Sequence, residues 1–229
     1  LNAMKVNLTQ NDNGNHLHGG YKGFSSKPWD VIEHRSNTLI FSLESRDQDE
    51  NYPATLKTTV SYTINDLNEL QVELHAYSDK DTIINLTQHS YFNLNGNIGG
   101  DILDHKIKIN SNQITEIDNH LIPTGKFLDV KDTPLDLREF TRIGQMINQD
   151  FQQMNFANGY DHNFVLDNNE TREIKKVAEV IGDKTKIKMS VMTDLPGLQF
   201  YSGNFLDGSY QGKYGFKLKK NSGLCLEPQ

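Results

Sequence analysis

The residues best suited to acid–base chemistry in this chain lie in a run of amides, hydroxyls and aromatic rings, Asn85-Leu86-Thr87-Gln88-His89-Ser90-Tyr91-Phe92-Asn93-Leu94. Histidine can donate or accept a proton near neutral pH because its unperturbed pKa lies closest to neutrality. Period-two alternation would place Asn85, Thr87, His89 and Tyr91 on one face of an extended segment. Amides combined with aromatic rings are typical of sugar sites, which meet both hydroxyls and apolar ring faces. His89 is therefore either a proton-transfer group or a hydrogen-bonded structural residue.

A carboxylate, Glu227, follows an apolar run near the end of the sequence. Alternation would place Leu224 and Leu226 on one face of a strand, and Cys225 and Glu227 on the other. A solvated glutamate is a weak base, but a desolvated one has a raised pKa and becomes a competent general base. In that case His89 and Glu227 would form an acid–base pair. Cys225 has apolar neighbours, so we interpret it as a packing residue and not as a nucleophile.

Two histidines, His16 and His18, stand two residues apart and precede Gly19-Gly20. On a strand, this spacing would point both imidazoles to the same face, and the glycines would let the backbone approach a ligand closely. A metal would need further ligands, and the single cysteine supplies no soft cluster, so we predict no metal. Hydrogen bonding to a polar ligand is favoured over the alternative of a polar turn with solvated histidines.

Two further segments carry polar groups suited to a small ligand. In Gly159-Tyr160-Asp161-His162-Asn163-Phe164, the aspartate could accept two hydroxyl hydrogen bonds or orient a histidine. The alternative for Asp161 is an Asx cap in the loop before a strand. We interpret residues 196–204 as a second turn, rich in amides and aromatics, which includes Gln199.

Composition narrows the class of partner. The chain has 229 residues and a formal net charge of −7, which disfavours nucleic acid and anionic membranes because both select for a basic surface. The sequence has no apolar run of about 18 residues and no signal-like segment. We therefore predict a cytoplasmic protein with a neutral, polar, small-molecule ligand.

The elements that must position these side chains are mostly strands. Turn-formers separate short alternating or β-branched runs, as expected of an antiparallel all-β protein. A short helix is suggested only at residues 140–151, and residues 110–136 are interpreted as a rim segment with fixed turns. We predict a single sandwich domain over residues 1–229. The predicted strands cover residues 38–43, 54–64, 70–77, 82–87, 102–109, 174–181 and 186–193.

Taken together and in order, these segments resemble the galactose mutarotases (aldose 1-epimerases). The resemblance covers nearly the whole chain, and the colinear set of motifs is far more specific than any one of them. It implies a β-supersandwich and interconversion of the α and β anomers of free aldohexoses, including galactose and glucose, without cofactor or metal. The matching segments are Asn15-His16-Leu17-His18-Gly19-Gly20, Gly23-Phe24, Trp29 and residues 85–96, 122–125, 133–138, 159–164, 196–208 and 226–229.

The resemblance also implies roles for individual residues. His89 is similar to the family's general acid and Glu227 to its general base, which together open and reclose the hemiacetal ring. The substrate-binding residues implied by the resemblance are His18, Asp161 and Gln199, with His16, Asn93 and Phe92 lining the pocket.

The sequence departs from the family at both ends. Family members carry an N-terminal glycine-arginine motif whose arginine contacts the sugar, and they continue beyond the glutamate into further strands. We therefore expect a shortened or fragmentary relative, with open sheet edges that could favour association with another copy. The alternative function is a sugar-binding or sensory module that keeps the pocket without turnover. A glycosidase is less favoured, since that chemistry usually uses two carboxylates.

Overall fold

The computed structural model describes residues 1, 5–96, 98–167 and 173–229. The described chain divides into two compact units, Leu1–Leu86 and Thr87–Gln229. The expectation of one domain over residues 1–229 stays a prediction. The turn-forming residues Asn95-Gly96-Asn97 also predict a turn between strands, and Asn97 lies outside the described residues.

The first unit contains a four-stranded antiparallel meander in the order β1-β2-β3-β4. The alternating and β-branched residues in three of the predicted runs form strands, because these side chains fit a pleated surface. The predictions at residues 38–43, 54–64 and 70–77 are therefore confirmed. The strands are β1 (Asp30–His34), β2 (Thr38–Ser45), β3 (Leu56–Ile64) and β4 (Leu70–Ser78), with short 3₁₀ turns at Phe24–Ser26 and Asp49–Asn51.

The second unit contains two larger sheets and a hairpin, all antiparallel. Their orders are β11-β10-β5-β8, β15-β12-β9-β6-β7 and β13-β14. The elements are β5 (Lys106–Ile109), β6 (Gln113–Ile117), β7 (Pro123–Asp129), β8 (Thr141–Arg142), α1 (Ile143–Met146), α2 (Gln152–Ala157), β9 (Asp161–Val165), β10 (Lys175–Ile181), β11 (Lys188–Thr193), β12 (Gly197–Tyr201), β13 (Asp207–Gln211), β14 (Lys217–Lys219) and β15 (Cys225–Pro228), with a 3₁₀ turn at Lys213–Gly215. The predicted all-β antiparallel class with few short helices is confirmed.

The core of the second unit takes side chains from both larger sheets. Ile107 and Val180 come from the four-stranded sheet, whereas Phe164, Leu198 and Phe200 come from the five-stranded sheet, and all are buried in one cluster. Burying each such side chain stabilises the fold by roughly 1.5–3 kcal/mol. Because neighbouring residues on a strand face opposite ways, the same burial turns the intervening polar residues of the five-stranded sheet to its other face.

Several element predictions were wrong in extent or type. Residues 82–87 do not form a strand and have no regular secondary structure. The run 102–109 begins with a turn, in which the His105 amide donates to the Ile102 carbonyl at 3.0 Å, so only β5 is extended. The helix expected over 140–151 is reduced to the four residues of α1 after β8. The rim segment 110–136 contains two strands, β6 and β7, at the end of the five-stranded sheet.

Candidate active site

The polar face of the five-stranded sheet gathers side chains from three adjacent strands. In β12, Gln199 pairs with Glu227 of β15 on one side and with Asn163 of β9 on the other. Tyr201, two residues later, pairs with Cys225 and Asp161 in the same way. Antiparallel pairing places the side chains of such partners on the same face, about 5 Å apart. The separate motifs at 159–164, 196–204 and 223–229 therefore meet on one surface.

His89 reaches this surface from an irregular extended segment. The segment is fixed by an isolated bridge, in which the Phe92 amide donates to the Leu224 carbonyl at 2.7 Å and the Leu224 amide donates back at 2.9 Å. The bridge lies just before β15, so it carries His89 to the side chains at the start of that strand. The Nε2 atom of His89 is 3.5 Å from Oε1 of Glu227, and the pairing expected from the sequence is thus present.

Aromatic rings surround the histidine. His89 stacks on Tyr91, with ring centroids 5.2 Å apart, and it meets Tyr201 edge-on at 6.2 Å. The Tyr91 side chain is 48% exposed, whereas Tyr201 is buried and its hydroxyl accepts a hydrogen bond from the Phe205 amide at 2.9 Å. This arrangement limits the orientations of the imidazole and offers apolar ring surface beside it.

The residues just after the histidine anchor its segment. The Asn93 side chain donates to the Gly100 and Ser222 carbonyls, both at 3.0 Å, and its Oδ1 atom accepts from the Asn95 amide. Phe92 packs against the hydrophobic core. These contacts show that Asn93 and Phe92 stabilise the fold around His89. Their role in lining a sugar pocket stays a prediction.

Glu227 is the most strongly perturbed carboxylate of the site. Its side chain is 8% exposed, and burial together with the nearby charge of Asp161 raises its pKa to about 7. Burial also raises the pKa of Asp161, although the hydrogen bond from Gln199 partly offsets this effect. A carboxylate whose pKa lies near neutrality can accept a proton in one step and return it in the next. The sequence-based alternative of a solvated Glu227 is wrong.

An amide network holds Asp161 in place. Gln199 Nε2 donates to Asp161 Oδ1 at 2.7 Å, and Gln229 Nε2 donates to Asn163 Oδ1 at 3.2 Å and more weakly to Gln199 Oε1 at 3.4 Å. A Cβ atom at Gly197 would lie only 2.4 Å from Asn163 Oδ1, so glycine is needed there for this network. Asp161 is the first residue of β9 and not a loop cap, and its other lone pairs remain suited to ligand hydroxyls.

The neighbouring histidine, His162, faces the opposite way. Its side chain is fully buried, and burial lowers its pKa to about 4. The imidazole is therefore neutral at physiological pH. Alternation along β9 puts the side chains of Asp161 and His162 on different faces of the sheet, so Asp161 does not orient this histidine.

His16 and His18 lie in the first unit and do not form the expected strand pair. His16 is partly buried, and its ring nitrogens contact the Thr9 carbonyl at 2.5 Å and the Tyr52 hydroxyl at 2.8 Å. His18 is exposed in a turn, with a left-handed backbone (φ 52°), so the common face predicted from alternation is wrong. The sugar-binding roles suggested for both histidines stay predictions.

The sequence reasoning missed several residues of this surface, namely Tyr201, Asn163 and Gln229. The signal for Asn163 and Tyr201 was the alternation along β9 and β12, which places every second residue beside Asp161 and Gln199. The strand register was needed to recognise it. Gln229 stands two residues after Glu227, just beyond the end of β15. Among the described residues, one group of potential metal ligands has been brought together, made up of His89, Cys225 and Glu227.

The comparisons with known proteins agree with this arrangement. The family model for aldose 1-epimerases matches residues 1–229. The chain belongs to the aldose 1-epimerase family. It is 41% identical to a galactose mutarotase of Bos taurus, with 100% of this chain and 64% of the relative covered. It is 34% identical to an aldose 1-epimerase of Haemophilus influenzae, covering 100% of this chain and 66% of the relative.

A solved relative has the same fold. An aldose epimerase homologue from C. elegans superimposes with a TM-score of 0.88 at 28% identity, covering 100% of this chain and 67% of that one. The resemblance inferred from the sequence is thus confirmed at the level of family and fold. The chain spans about 64% of the length of the mutarotases that it matches. Within the described ranges, every helix is too short or too polar to cross a membrane.

Proposed function

We propose that this protein is an aldose 1-epimerase, an isomerase that interconverts the α and β anomers of free aldohexoses such as galactose and glucose. The observation that carries the proposal is the His89–Glu227 pair, with 3.5 Å between Nε2 and Oε1 and with the pKa of Glu227 raised to about 7. Membership of the family supports the assignment. The names of the relatives, galactose mutarotase and aldose 1-epimerase, point to the same substrate class.

The reaction needs two proton transfers at neighbouring oxygens. The C1 hydroxyl and the ring oxygen are both bonded to C1, so the acid and the base must lie side by side, as His89 and Glu227 do. Glu227 takes the proton of the C1 hydroxyl while protonated His89 donates to the ring oxygen, and the C1–ring oxygen bond breaks to give the open-chain aldehyde. Each well-positioned group contributes roughly 10²–10⁴-fold to the rate.

The second half of the reaction reverses these transfers. Rotation about C1–C2 presents the other face of the carbonyl to the hydroxyl that becomes the ring oxygen. Neutral His89 then takes the proton of that hydroxyl, and protonated Glu227 returns its proton to the carbonyl oxygen. Both side chains recover their starting states, and the proposed mechanism requires no cofactor.

The surrounding groups suit a sugar. Asp161 and Gln199 offer hydrogen bonds to ring hydroxyls, and those to the charged carboxylate would be the stronger. Tyr91 and Tyr201 provide apolar surface for a face of the sugar ring. A sugar partner, a cytoplasmic location and association with a second copy are parts of the same proposal.

Polarimetry tests this function. Freshly dissolved α-galactose or α-glucose should reach its equilibrium rotation faster with the protein than in buffer alone. Calorimetry with galactose in parallel separates the alternatives: saturable binding without acceleration would select a sugar-binding module. Release of nitrophenol from a nitrophenyl galactoside would instead indicate a glycosidase.

A further inference from the structure

The acid–base pair shares its surface with the single cysteine of the sequence. The potential ligand atoms of His89, Cys225 and Glu227 all lie within 4.8 Å of one another. An imidazole nitrogen, a thiolate and a carboxylate are the donor types that bind Zn²⁺ in proteins, and thiolates also favour other soft or borderline transition metals over Mg²⁺ and Ca²⁺. No sequence spacing predicted this set, because its members come from an irregular segment and from β15.

The separations are close to those of a tetrahedral metal centre. With bonds of about 2.0–2.3 Å to zinc, the ligand atoms of such a centre stand about 3.3–3.8 Å apart. His89 Nε2 and Glu227 Oε1 already lie at 3.5 Å, so only the sulfur contacts require adjustment, by about 1 Å at most. Cys225 and Glu227 lie two residues apart on one strand and share its face.

The electrostatics of this surface favour a cation. Glu227 and Asp161 bring two carboxylates into a partly desolvated place, on the two strands that flank β12. A divalent cation would be attracted to both carboxylates, and its binding to the Cys225 sulfur would release the thiol proton.

We propose that His89, Cys225 and Glu227 form a reversible inhibitory site for Zn²⁺ or a similar borderline divalent transition metal, with the fourth position left to water. Binding at this site occupies both the acid and the base of the proposed epimerase. The metal therefore blocks catalysis and does not assist it. The inhibitory effect rests on the proposed function, whereas metal binding itself does not.

A cobalt titration tests the site without any activity measurement. Because Cys225 is the single cysteine in the chain, a sulfur-to-cobalt charge-transfer band in the near ultraviolet must arise from this residue. Titration of the full chain with Co²⁺ should produce that band, and His89→Gln or Glu227→Gln should weaken the apparent affinity by roughly tenfold or more. Absence of the band, or unchanged affinity in both variants, would overturn the proposal. His120→Ala, which removes an exposed histidine, is the matched control and should leave the titration unchanged.

Inhibition by zinc is the second measurement. Zn²⁺ should slow mutarotation by the wild-type chain, and a chelator should restore the rate. Cys225→Ala and the near-isosteric Cys225→Ser should require roughly tenfold more zinc or more than the wild type to halve their own uninhibited rates. Equal sensitivity of a folded Cys225 variant and the wild type would refute the role of the sulfur. If the chain does not accelerate mutarotation, the proposed function fails, and the cobalt titration alone decides whether the metal site exists.

Discussion

Replacing Glu227 by glutamine should stabilise the protein at alkaline pH while removing its catalytic base. Burial and the charge of Asp161 raise the pKa of Glu227 from its ordinary value of 4.5 to about 7. Since one pKa unit corresponds to about 1.4 kcal/mol, ionised Glu227 costs the folded state about 3 kcal/mol relative to the unfolded chain. Glutamine keeps the shape of the side chain and cannot ionise.

The direction in which stability changes with pH depends on whether the folded or the unfolded protein holds the proton of Glu227. Between pH 4.5 and about 7 the folded protein keeps a proton that the unfolded chain has released, so stability is lost as pH rises through this window. The wild type should show this loss and Glu227→Gln should not. The difference between their free energies of unfolding should therefore grow by about 2.5 kcal/mol between about pH 5 and about pH 8.5.

Urea unfolding followed by circular dichroism at the two pH values measures this difference, provided that the slope with urea is unchanged. Glu139→Gln is a matched control, because the Glu139 side chain is 91% exposed. Its free energy of unfolding should differ from that of the wild type by the same amount at both pH values. The reasoning is refuted if the free energies of unfolding of Glu227→Gln and the wild type differ by the same amount at both pH values, since Glu227 would then not be desolvated.

Further predictions concern catalysis. His89→Ala should lower kcat/KM at least about a hundredfold through loss of the proton donor. Its far-ultraviolet circular dichroism spectrum should match that of the wild type. A kcat/KM near the wild-type value would exclude His89 as the acid. Wild-type kcat/KM should fall as pH decreases through about 7, because Glu227 becomes protonated, and a flat profile across this range would contradict the assignment of the base. Asp161→Asn should raise KM for galactose. It should also move the fall in kcat/KM to lower pH, because removal of the Asp161 charge lowers the pKa of Glu227. If the fall stays at the same pH, the Asp161 charge does not raise the pKa of Glu227. Tyr91→Phe should keep kcat near the wild-type value, whereas Tyr91→Ala should lower kcat by roughly tenfold through loss of the ring that stacks on His89. Equal kcat values for the two variants would show that the Tyr91 ring does not position His89.

Strand alternation explains how much of the site the sequence could predict. The placement of Cys225 and Glu227 on one face of β15, with Leu224 and Leu226 in the core, was predicted from period-two alternation and is confirmed. The all-β class and three strands of the first sheet were predicted in the same way. These features depend on residues close together in the chain, whose patterns a single sequence displays.

Features that depend on pairing between distant segments could not be predicted. Residues 82–87 have the composition of a strand but do not form one, and local composition does not specify whether a segment is paired with another strand. Tyr201 reaches the site because β12 lies between β9 and β15, and that order is not visible in any local pattern. The approach of His89 to Cys225 depends on the Phe92–Leu224 bridge, which joins segments more than 130 residues apart.

The most direct test of the central claim is anomeric exchange at equilibrium. Magnetisation exchange between the α and β anomeric protons of galactose should be measured by NMR at about pH 7.5, where the proposed base is mostly ionised. The account predicts exchange well above the buffer rate for the wild-type chain, and a loss of at least about a hundredfold for Glu227→Gln. Exchange at the buffer rate for the wild type, or undiminished exchange in Glu227→Gln, would contradict it.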